Sequence, residues 1–543
     1  MATFLNPAIF LRLPLLTPNG MSLGDLLMVF SDYALRILTS DPLLLVSVIV
    51  NSAIVYHVLS FLLSDQQVPA FGFPHWLPAG RIYGGARFFV DSSTMLSEGY
   101  NTSKSTVFRI PRWQSWVYVL SGDKLVEEFH RCSDKSLSLL ESAKDELQIP
   151  YTMGLPVHDD PYHLPILRNK LTRNLDFLVS EIMDEAVPAF DAIIGQNCPP
   201  GRILQCRGLH SITTIVARTF NRILVGPDLC RNVDYNKVSI QFAVNTIATS
   251  TIINLFPSFL HPLIGRLTSR FSSSVQKAIA HIGPLVEERR AFMSNGTLTK
   301  EEMDTDFLWW FLAAAQGEQA STEALVARIL VINAATIHTS SMTLTQALIN
   351  LALHPEWAVR LREEATSAFS RHGWSRNMLK ELSVMDCFLK ESMRINGLGS
   401  MGFPRKAMET LRFSDGTVIP AGSLVSPAFG AHFDSAYYQD PLTFDPTRFM
   451  EGTSAHKFEA GGMVNTSSHF LPFGHGKHTC VRTLPGRFVA SHLLKTFMSH
   501  VVMNYEISLV DSQRPKDLWF GIHCIPNVSF SFTFRRLEET TNS

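Results

Sequence analysis

Long stretches of the chain carry apolar side chains at every third or fourth position, and a few short stretches alternate apolar and polar residues. The first pattern predicts amphipathic helices, and the second predicts short strands. Because the helical pattern covers far more residues, we expect a mainly α fold with a small β portion toward the C-terminal side. The helical pattern occupies residues 166–190, 323–353, 355–369 and 488–500, and the strand pattern occupies 418–419 and 527–534.

Residues 43–63 form an apolar run that contains no Asp, Glu, Lys or Arg. As a helix this run is roughly 30 Å long, which matches the hydrocarbon thickness of a bilayer. It predicts a transmembrane anchor at 42–64 after a lead segment at 1–41, with a buried core helix as the alternative. Prolines at 69, 74 and 78 stop the helix. We therefore expect a stiff hinge at 65–80, followed by one large domain at 81–543.

Length and charge narrow the class of protein. At roughly 150 residues per domain the length allows three domains, but no linker or repeat divides the body of the 543-residue chain. The 47 Lys and Arg residues nearly balance the 48 Asp and Glu residues, for a net charge of −1. Nucleic-acid binding needs a net or clustered positive field, so no nucleic-acid partner is expected. An apolar fraction of 46% excludes a disordered chain.

The seven cysteines are scattered and include no pair at the two-residue spacing of a metal-binding motif. Their odd number and irregular spacing argue against a disulfide framework or a structural zinc site and favour a reducing compartment.

One cysteine, Cys480, ends the segment Phe473-Gly474-His475-Gly476-Lys477-His478-Thr479. The two glycines permit positive φ and a close approach of the backbone to a flat group. Cationic neighbours favour the thiolate form of the cysteine. A lone thiolate cannot complete a zinc or iron–sulfur site, but it can be the axial ligand of a haem, whose ring supplies the other four ligands. A glycine turn before a buried cysteine is the alternative.

Two further motifs combine acidic and basic residues. Glu391 and Arg394 are three residues apart on a predicted helix, where they can pair on one face. Arg448, in Pro446-Thr447-Arg448-Phe449, can complete a buried cluster with them through charge-assisted hydrogen bonds. The E-x-x-R motif alone has no diagnostic value, because it arises by chance in long chains.

Taken in order, E-x-x-R, P-x-R-F and F-G-x-G-x-H-x-C resemble the motifs of the cytochrome P450 family, the haem-thiolate monooxygenases. The resemblance extends over nearly the whole chain. The segments around 163–175 and 334–343 are similar to fungal members of the ent-kaurene-oxidase-like kind. The resemblance implies the cytochrome P450 fold, a haem b cofactor with its iron, and an N-terminal membrane anchor.

The resemblance also implies roles for individual residues. Cys480 matches the axial ligand of the haem iron, and Phe473 opens the same haem-binding loop. His478 and Arg405 match positions that contact the haem propionates. Arg168 resembles a third propionate contact, although a solvated helix face is an equal alternative for it.

Residues 335–340 match the distal oxygen-activating turn of the family. Thr339 falls on the threonine of that turn, and His338 stands where most members carry an acid. Histidine can relay protons near neutral pH, so both residues are predicted to be catalytic. A buried helix segment rich in Thr and Ser is the alternative.

The chain departs from the family pattern directly after Cys480. The family has a glycine two residues after the cysteine, whereas here Val481, Arg482, Thr483 and Leu484 come before Pro485-Gly486-Arg487. The four extra residues affect the backbone amides that tune the sulfur ligand. We expect that the cysteine ligates iron despite this insertion.

By resemblance, the protein is a membrane-anchored monooxygenase that takes O₂, electrons from an NADPH-dependent reductase and a small apolar substrate, expected to be a terpenoid of fungal secondary metabolism. The expected location is the endoplasmic reticulum membrane, with a single-pass anchor and a cytosolic catalytic domain. Two alternatives remain open at this point. One is a haem-poor or inactive paralogue, because of the insertion at 481–484. The other is a haem-thiolate isomerase or peroxygenase.

Overall fold

The computed structural model describes residues 68–74, 76, 80–113, 115–195, 201–296, 299, 305–450, 462–476 and 486–538. The predicted lead segment and anchor, part of the predicted hinge (65–67, 75 and 77–79), His478, Cys480 and the insertion at 481–484 lie outside these residues. The predicted domain boundaries therefore remain predictions.

Contacts divide the chain into two units. One comprises residues 1–66 and 74–81, nearly all of them outside the described residues, and the other comprises residues 67–73 and 82–543. The fold and the site described below belong to the second unit.

Helices make up most of the described chain. In chain order they are α1 (Gly80–Thr102), α2 (Asp123–Arg131), α3 (Leu139–Glu146), α4 (Ile149–Thr152), α5 (Leu155–Asp159), α6 (His163–Arg173), α7 (Leu175–Phe190), α8 (Gly208–Val225), α9 (Pro227–Cys230), α10 (Val233–Asn254), α11 (His261–Thr268), α12 (Phe271–Asn295), α13 (Phe307–Ala314), α14 (Thr322–Leu353), α15 (Glu356–His372), α16 (Arg376–Glu381), α17 (Ser383–Ile395) and α18 (Gly486–Asn504). A π-helical turn (Asp191–Gly195) extends α7, and short 3₁₀ turns occur at Ser258–Leu260, Gly317–Ala320, Phe429–Phe433 and Pro446–Phe449.

Helix α14 runs through the centre of the largest hydrophobic core and packs against α8, α10 and α12. It begins where the Ser321 hydroxyl accepts a hydrogen bond from the amide of Ala324 at 3.3 Å, which caps the first turn. It ends at Leu353, because Pro355 disfavours helical geometry in the residue before it. The cap at one end, the proline beyond the other end and the buried middle together fix the position of this helix along its axis.

The strands form a small β portion. They are β1 (Val107–Pro111), β2 (Trp116–Leu120), β3 (Leu137–Ser138), β4 (Ile203–Arg207), β5 (Arg405–Ala407), β6 (Leu411–Arg412), β7 (Val418–Ile419), β8 (Leu424–Pro427), β9 (Tyr505–Leu509), β10 (Leu518–Phe520), β11 (His523–Ile525) and β12 (Ser531–Arg536). The largest sheet has the order β1-β2-β8-β5-β3, in which only the β2–β8 pair is parallel. A second sheet has the order β4-β12-β9, and β6–β7 and β10–β11 are two-stranded.

The predicted fold class, mainly α with a small β portion, is confirmed. The expectation that the β portion lies toward the C-terminal side is wrong for the largest sheet, because β1, β2 and β3 come from residues 107–138. The predicted helix at 166–190 is instead two helices, α6 and α7, separated by Asn174, whose backbone leaves the helical region at φ −102° and ψ 19°. The strand predicted from residue 527 begins at Ser531. Before it, the Asn527 side chain accepts a hydrogen bond from the amide of Ser529 at 2.7 Å and holds a turn.

Among the described residues, one helix is long and apolar enough to cross a membrane, and it is α14. Most of its apolar window is buried inside the protein, which is typical of the core helix of a globular domain.

Candidate active site

A cavity of about 550 Å³ lies between α14 and the loop that precedes α18. One wall is the middle of α14, and the opposite wall is formed by residues 471–474 and the first turn of α18. Residues 396–403, which follow α17, and the tip of the β10–β11 hairpin close the sides. The lining is mainly apolar, and half of its polar side chains come from α14.

The α14 wall presents small and hydroxylated side chains to the cavity. Ala335 and Thr339, one turn apart, are both exposed there although the helix around them is buried. The Thr339 hydroxyl lies 3.0 Å from the carbonyl oxygen of Ala335 and 3.2 Å from that of Thr336, and it can donate to either. A threonine bonded back to its own helix keeps its oxygen free to accept another hydrogen bond from the cavity.

His338 is not among the residues that line the cavity, although it is adjacent to Thr339. Its Nε2 atom lies 3.1 Å from the carbonyl oxygen of Ile240 on α10. Because a carbonyl only accepts, Nε2 carries the proton of the neutral ring. Burial lowers the pKa of His338 below its usual value, which favours this neutral form. The structure therefore does not bring the two predicted catalytic residues together.

The loop opposite α14 is built around two glycines. Gly474 and Gly476 have φ values of 70° and 67°, the left-handed conformation that the sequence pattern anticipated. A Cβ atom on Gly476 would lie 2.8 Å from the Cβ of His130 on α2, so only glycine allows this close packing. Phe473 and Gly474 line the cavity.

Arg405, at the start of β5, is a buried cation at the edge of the cavity. Its guanidinium donates to the carbonyl oxygen of Phe129 at 3.2 Å and to Nδ1 of His130 at 3.3 Å, and it stacks 4.1 Å from the Phe129 ring centroid. Burial lowers the pKa of Arg405 to about 10. It has no carboxylate partner among the residues that the structure describes. A buried cation of this kind requires an anion for compensation.

His130, which the sequence analysis did not single out, belongs to the same edge of the cavity. It contacts Arg405, and its ring lies perpendicular to that of His475, with the centroids 5.1 Å apart. His475 in turn pairs with Glu127 at 2.9 Å and fastens the glycine loop to α2. No local sequence signal identifies His130, because its place depends on contacts with residues more than 270 positions away.

Arg168, the other predicted propionate contact, lies on an exposed face of α6 and is not among the described cavity-lining residues. The same helix contributes Leu171 to the lining.

The predicted cluster of Glu391, Arg394 and Arg448 is present beside the cavity, and all three side chains are buried. Arg394 donates to both carboxylate oxygens of Glu391, at 2.7 and 2.8 Å, and Arg448 donates to one of them at 3.1 Å. The remaining guanidinium hydrogens reach main-chain oxygens, including those of His432 and Gln439. The cluster therefore ties α17 to the segment 432–449, which comes before the glycine loop.

These residues fit a flat, mainly apolar group with a negatively charged edge. The α14 wall and the glycine loop form the two faces of a slot, and Arg405 provides the cation at one edge. No cluster of three or more His, Cys, Asp or Glu side chains that could hold a bare metal ion occurs in the described part of the chain. A haem fits such a slot, because its ring is flat and mainly apolar and its propionates are negatively charged. It also needs only one axial ligand from the protein rather than a cluster of metal-binding side chains.

Comparison with known proteins points to one family. A family model described as Cytochrome P450 matches residues 97–529. Cytochrome P450 monooxygenase 71 of Postia placenta is 35% identical over 454 residues, which are 83% of this chain and 90% of the relative. Cytochrome P450 monooxygenase AtmP of Aspergillus flavus is 32% identical over 458 residues, 82% of this chain and 85% of the relative.

A similar fold occurs in the solved structure of retinoic acid-bound cyanobacterial CYP120A1. The TM-score is 0.63 at 18% identity, and the alignment covers 87% of this chain and 99% of the other. At this identity the likeness concerns the fold alone.

Proposed function

The chain belongs to the cytochrome P450 family of haem-dependent monooxygenases, and from this premise we propose that it oxidises an apolar terpenoid substrate in fungal secondary metabolism. The observation that carries the apolar character of the substrate is the cavity, whose side walls are built mainly from apolar groups. The terpenoid class is proposed from the resemblance to fungal members of the family. Leu398, Met401 and Phe403 supply one wall and Ile332 another. Burial of a hydrocarbon skeleton against such walls provides affinity without specific hydrogen bonds.

The proposed haem site combines described and undescribed residues. Cys480 is the proposed axial ligand and His478 a proposed propionate contact, both by the motif that they share with the family. Arg405 and Phe473 are the proposed contacts among the described residues. The burial of Arg405 without an ion-paired carboxylate in the described part of the chain supports its role. Arg168, whose side chain is exposed on α6, is a further proposed propionate contact by resemblance alone.

Bound haem supplies the iron that activates O₂ with electrons from a redox partner. The chain's own contribution to this step is the Thr339 hydroxyl. It is exposed to the cavity and anchored to the carbonyl oxygens of Ala335 and Thr336. We assign to its Oγ1 atom the task of holding and passing a proton inside the cavity. The small side chain of Ala335 leaves room beside Thr339 for the reacting molecules.

We further propose an NADPH-dependent reductase as the electron donor, and a single-pass anchor at 42–64 in the endoplasmic reticulum membrane with the domain at 81–543 in the cytosol. Support for the anchor is the uncharged run of 21 residues at 43–63. The hinge at 65–80 is part of the same proposal.

The test is the absorption spectrum of the reduced, carbon-monoxide-bound protein. We expect the red-shifted Soret band of a haem thiolate in the wild type and its loss in Cys480→Ser. Cys206→Ser, on β4 and outside the cavity lining, is the matched control and should keep the band.

A haem-poor paralogue is the second candidate, and the insertion at 481–484 favours it. A wild type without the band that gains it when 481–484 are deleted would establish this alternative. A wild type with the band and with turnover of an apolar substrate in the presence of reductase would exclude it.

A further inference from the structure

A polar stripe runs along the cavity side of α14. Thr336, Thr339, Thr343, Gln346 and Asn350 are spaced alternately by three and four residues, so their side chains lie on one face of the helix. The first four line the cavity. Such a stripe is unusual inside an apolar core, because each polar group there needs a partner.

The far end of the stripe joins the segment between β9 and β10. The Gln346 side chain donates to Oδ1 of Asp517 at 3.0 Å and accepts a hydrogen bond from Arg514. Arg514 also donates to Oδ1 of Asn350 at 2.8 Å. The side chains of Arg514 and Asp517 are 29% and 14% exposed, so this end reaches solvent. Gln346, which lines the cavity, therefore also contacts a pair of residues that reaches solvent.

The cavity needs a connection to solvent, because no Asp or Glu occurs among its described lining residues. His338, at the position where the family usually has an acid, bonds to the carbonyl oxygen of Ile240 on the neighbouring helix. Monooxygenation consumes two protons, since R–H, O₂, two electrons and two protons give R–OH and water. These protons require a donor other than a carboxyl group next to Thr339.

Asp517 has the properties of that donor. Burial raises its pKa, while Arg514, Gln346 and Cys524 act in the opposite direction. Arg514 compensates the carboxylate only in part, because its closest nitrogen lies 3.8 Å away and its hydrogen bonds go to the amide oxygens of Gln346 and Asn350. A carboxyl group that is partly shielded and still touches solvent can give up a proton and regain it.

We infer that Asp517 supplies protons to Thr339 along the α14 stripe. The inference rests on the proposed monooxygenase function. In each transfer the Asp517 carboxyl group loses a proton to water held beside Gln346 and Thr343, the Thr339 hydroxyl receives it while passing on its own, and solvent reprotonates Asp517. Asp517 acts through Thr339 and is a proton-supplying residue outside the reaction centre.

The experiment compares wild type, Asp517→Asn and Asp517→Glu with the surface control Glu506→Gln. For Asp517→Asn we expect kcat to fall about a hundredfold, with KM and the substrate dissociation constant within about twofold, a larger solvent deuterium isotope effect and an altered pH profile of kcat. Asp517→Glu should restore most of kcat. An unchanged kcat in Asp517→Asn overturns the inference, and so does a Glu variant as defective as the Asn variant.

A second readout needs no turnover. A raised folded-state pKa means that folded Asp517 keeps a proton that the unfolded chain has lost, so stability falls as pH rises above the ordinary carboxyl value. Asp517→Asn should remove this fall in urea unfolding of the purified chain, and identical pH dependence in both proteins overturns the inference. If the wild type shows no haem-thiolate band, the proposed function fails, and the unfolding comparison still decides whether Asp517 holds a proton.

Discussion

The Nε2 atom of His432 accepts a hydrogen bond from the main-chain amide of Leu471 at 3.0 Å. The main-chain oxygen of the same histidine accepts a hydrogen bond from Arg394 at 2.5 Å. One buried residue therefore links the Glu391–Arg394–Arg448 cluster to the loop that forms a wall of the cavity. Because Nε2 is an acceptor here, the link exists only while the ring is neutral.

Acid should weaken this link. Burial, with Arg394 and His469 nearby, lowers the pKa of His432 to about 3. Since this value is below the unfolded value of about 6.5, the stability that the neutral ring contributes is complete above about pH 6.5 and is lost as pH falls toward 3. At pH 4 the loss is about 3 kcal/mol. Urea unfolding between pH 7 and pH 4 measures it.

The matched variants are His432→Gln, whose side-chain oxygen can still accept from Leu471, and His210→Gln on an exposed face of α8. The first should lose less stability on acidification than the wild type, and the second should match the wild type. Part of the pH dependence of the unfolding free energy remains in both variants, because burial also lowers the pKa values of His163 and His492 to about 4. Parallel slopes in His432→Gln and wild type would refute the assignment.

The Glu391 cluster predicts a large loss of stability from a nearly isosteric change. Glu391→Gln leaves the guanidinium groups of Arg394 and Arg448 buried without their anion. Removal of one partner of a buried ion pair costs on the order of 3–5 kcal/mol, and the free energy of unfolding in urea should fall by that amount.

Asp176→Asn is the control for this change, because the pair of Asp176 and Arg376 lies at the surface with its charges 3.0 Å apart. Exposed pairs contribute about 0–1 kcal/mol. Equal losses in the two variants would show that the buried cluster is not a special source of stability.

Much of the fold follows from local patterns. The apolar periodicity places α14 within a residue of its observed ends, since this signal is local. The break at Asn174 was missed because the apolar period continues across it. Likewise, the start of β12 depends on the turn at Asn527, which an alternating pattern does not reveal.

The residues of the site also fall into two groups, those that a sequence motif identifies and those that only tertiary contacts identify. The ion pairs of Glu391 with Arg394 and Arg448 were anticipated because each residue stands in a recognisable motif. His338 and Thr339 were assigned one role, but neighbours on a helix point about 100° apart, and packing against α10 turns the histidine away from the cavity. Asp517 stands in no motif, and only tertiary contacts bring it to α14.

Arg405 predicts a specific loss of haem retention. Arg405→Leu removes the buried cation, while Arg405→Lys keeps a positive charge in its place. A charge-assisted hydrogen bond contributes about 1.5–3 kcal/mol, which corresponds to roughly ten- to hundredfold weaker haem binding in the leucine variant.

The measurement is the haem-to-protein ratio after gel filtration, followed by transfer of haem to an acceptor protein. The lysine variant should lie between the leucine variant and the wild type. Wild-type haem retention in Arg405→Leu would mean that Arg405 does not contact a propionate, and the cavity edge would then need another anion to compensate its charge.

The last prediction separates Thr339 from His338. Thr339→Ala removes the hydroxyl exposed to the cavity, and loss of a proton-transfer group lowers kcat by about a hundredfold. His338→Phe removes only the donor to the Ile240 carbonyl oxygen, which should cost about 1 kcal/mol of stability and change kcat by less than about threefold. Steady-state turnover with reductase and urea unfolding of the same two variants measure both effects. A large fall of kcat in His338→Phe without a change in unfolding would restore the histidine as a proton relay and would require α14 to rotate during turnover.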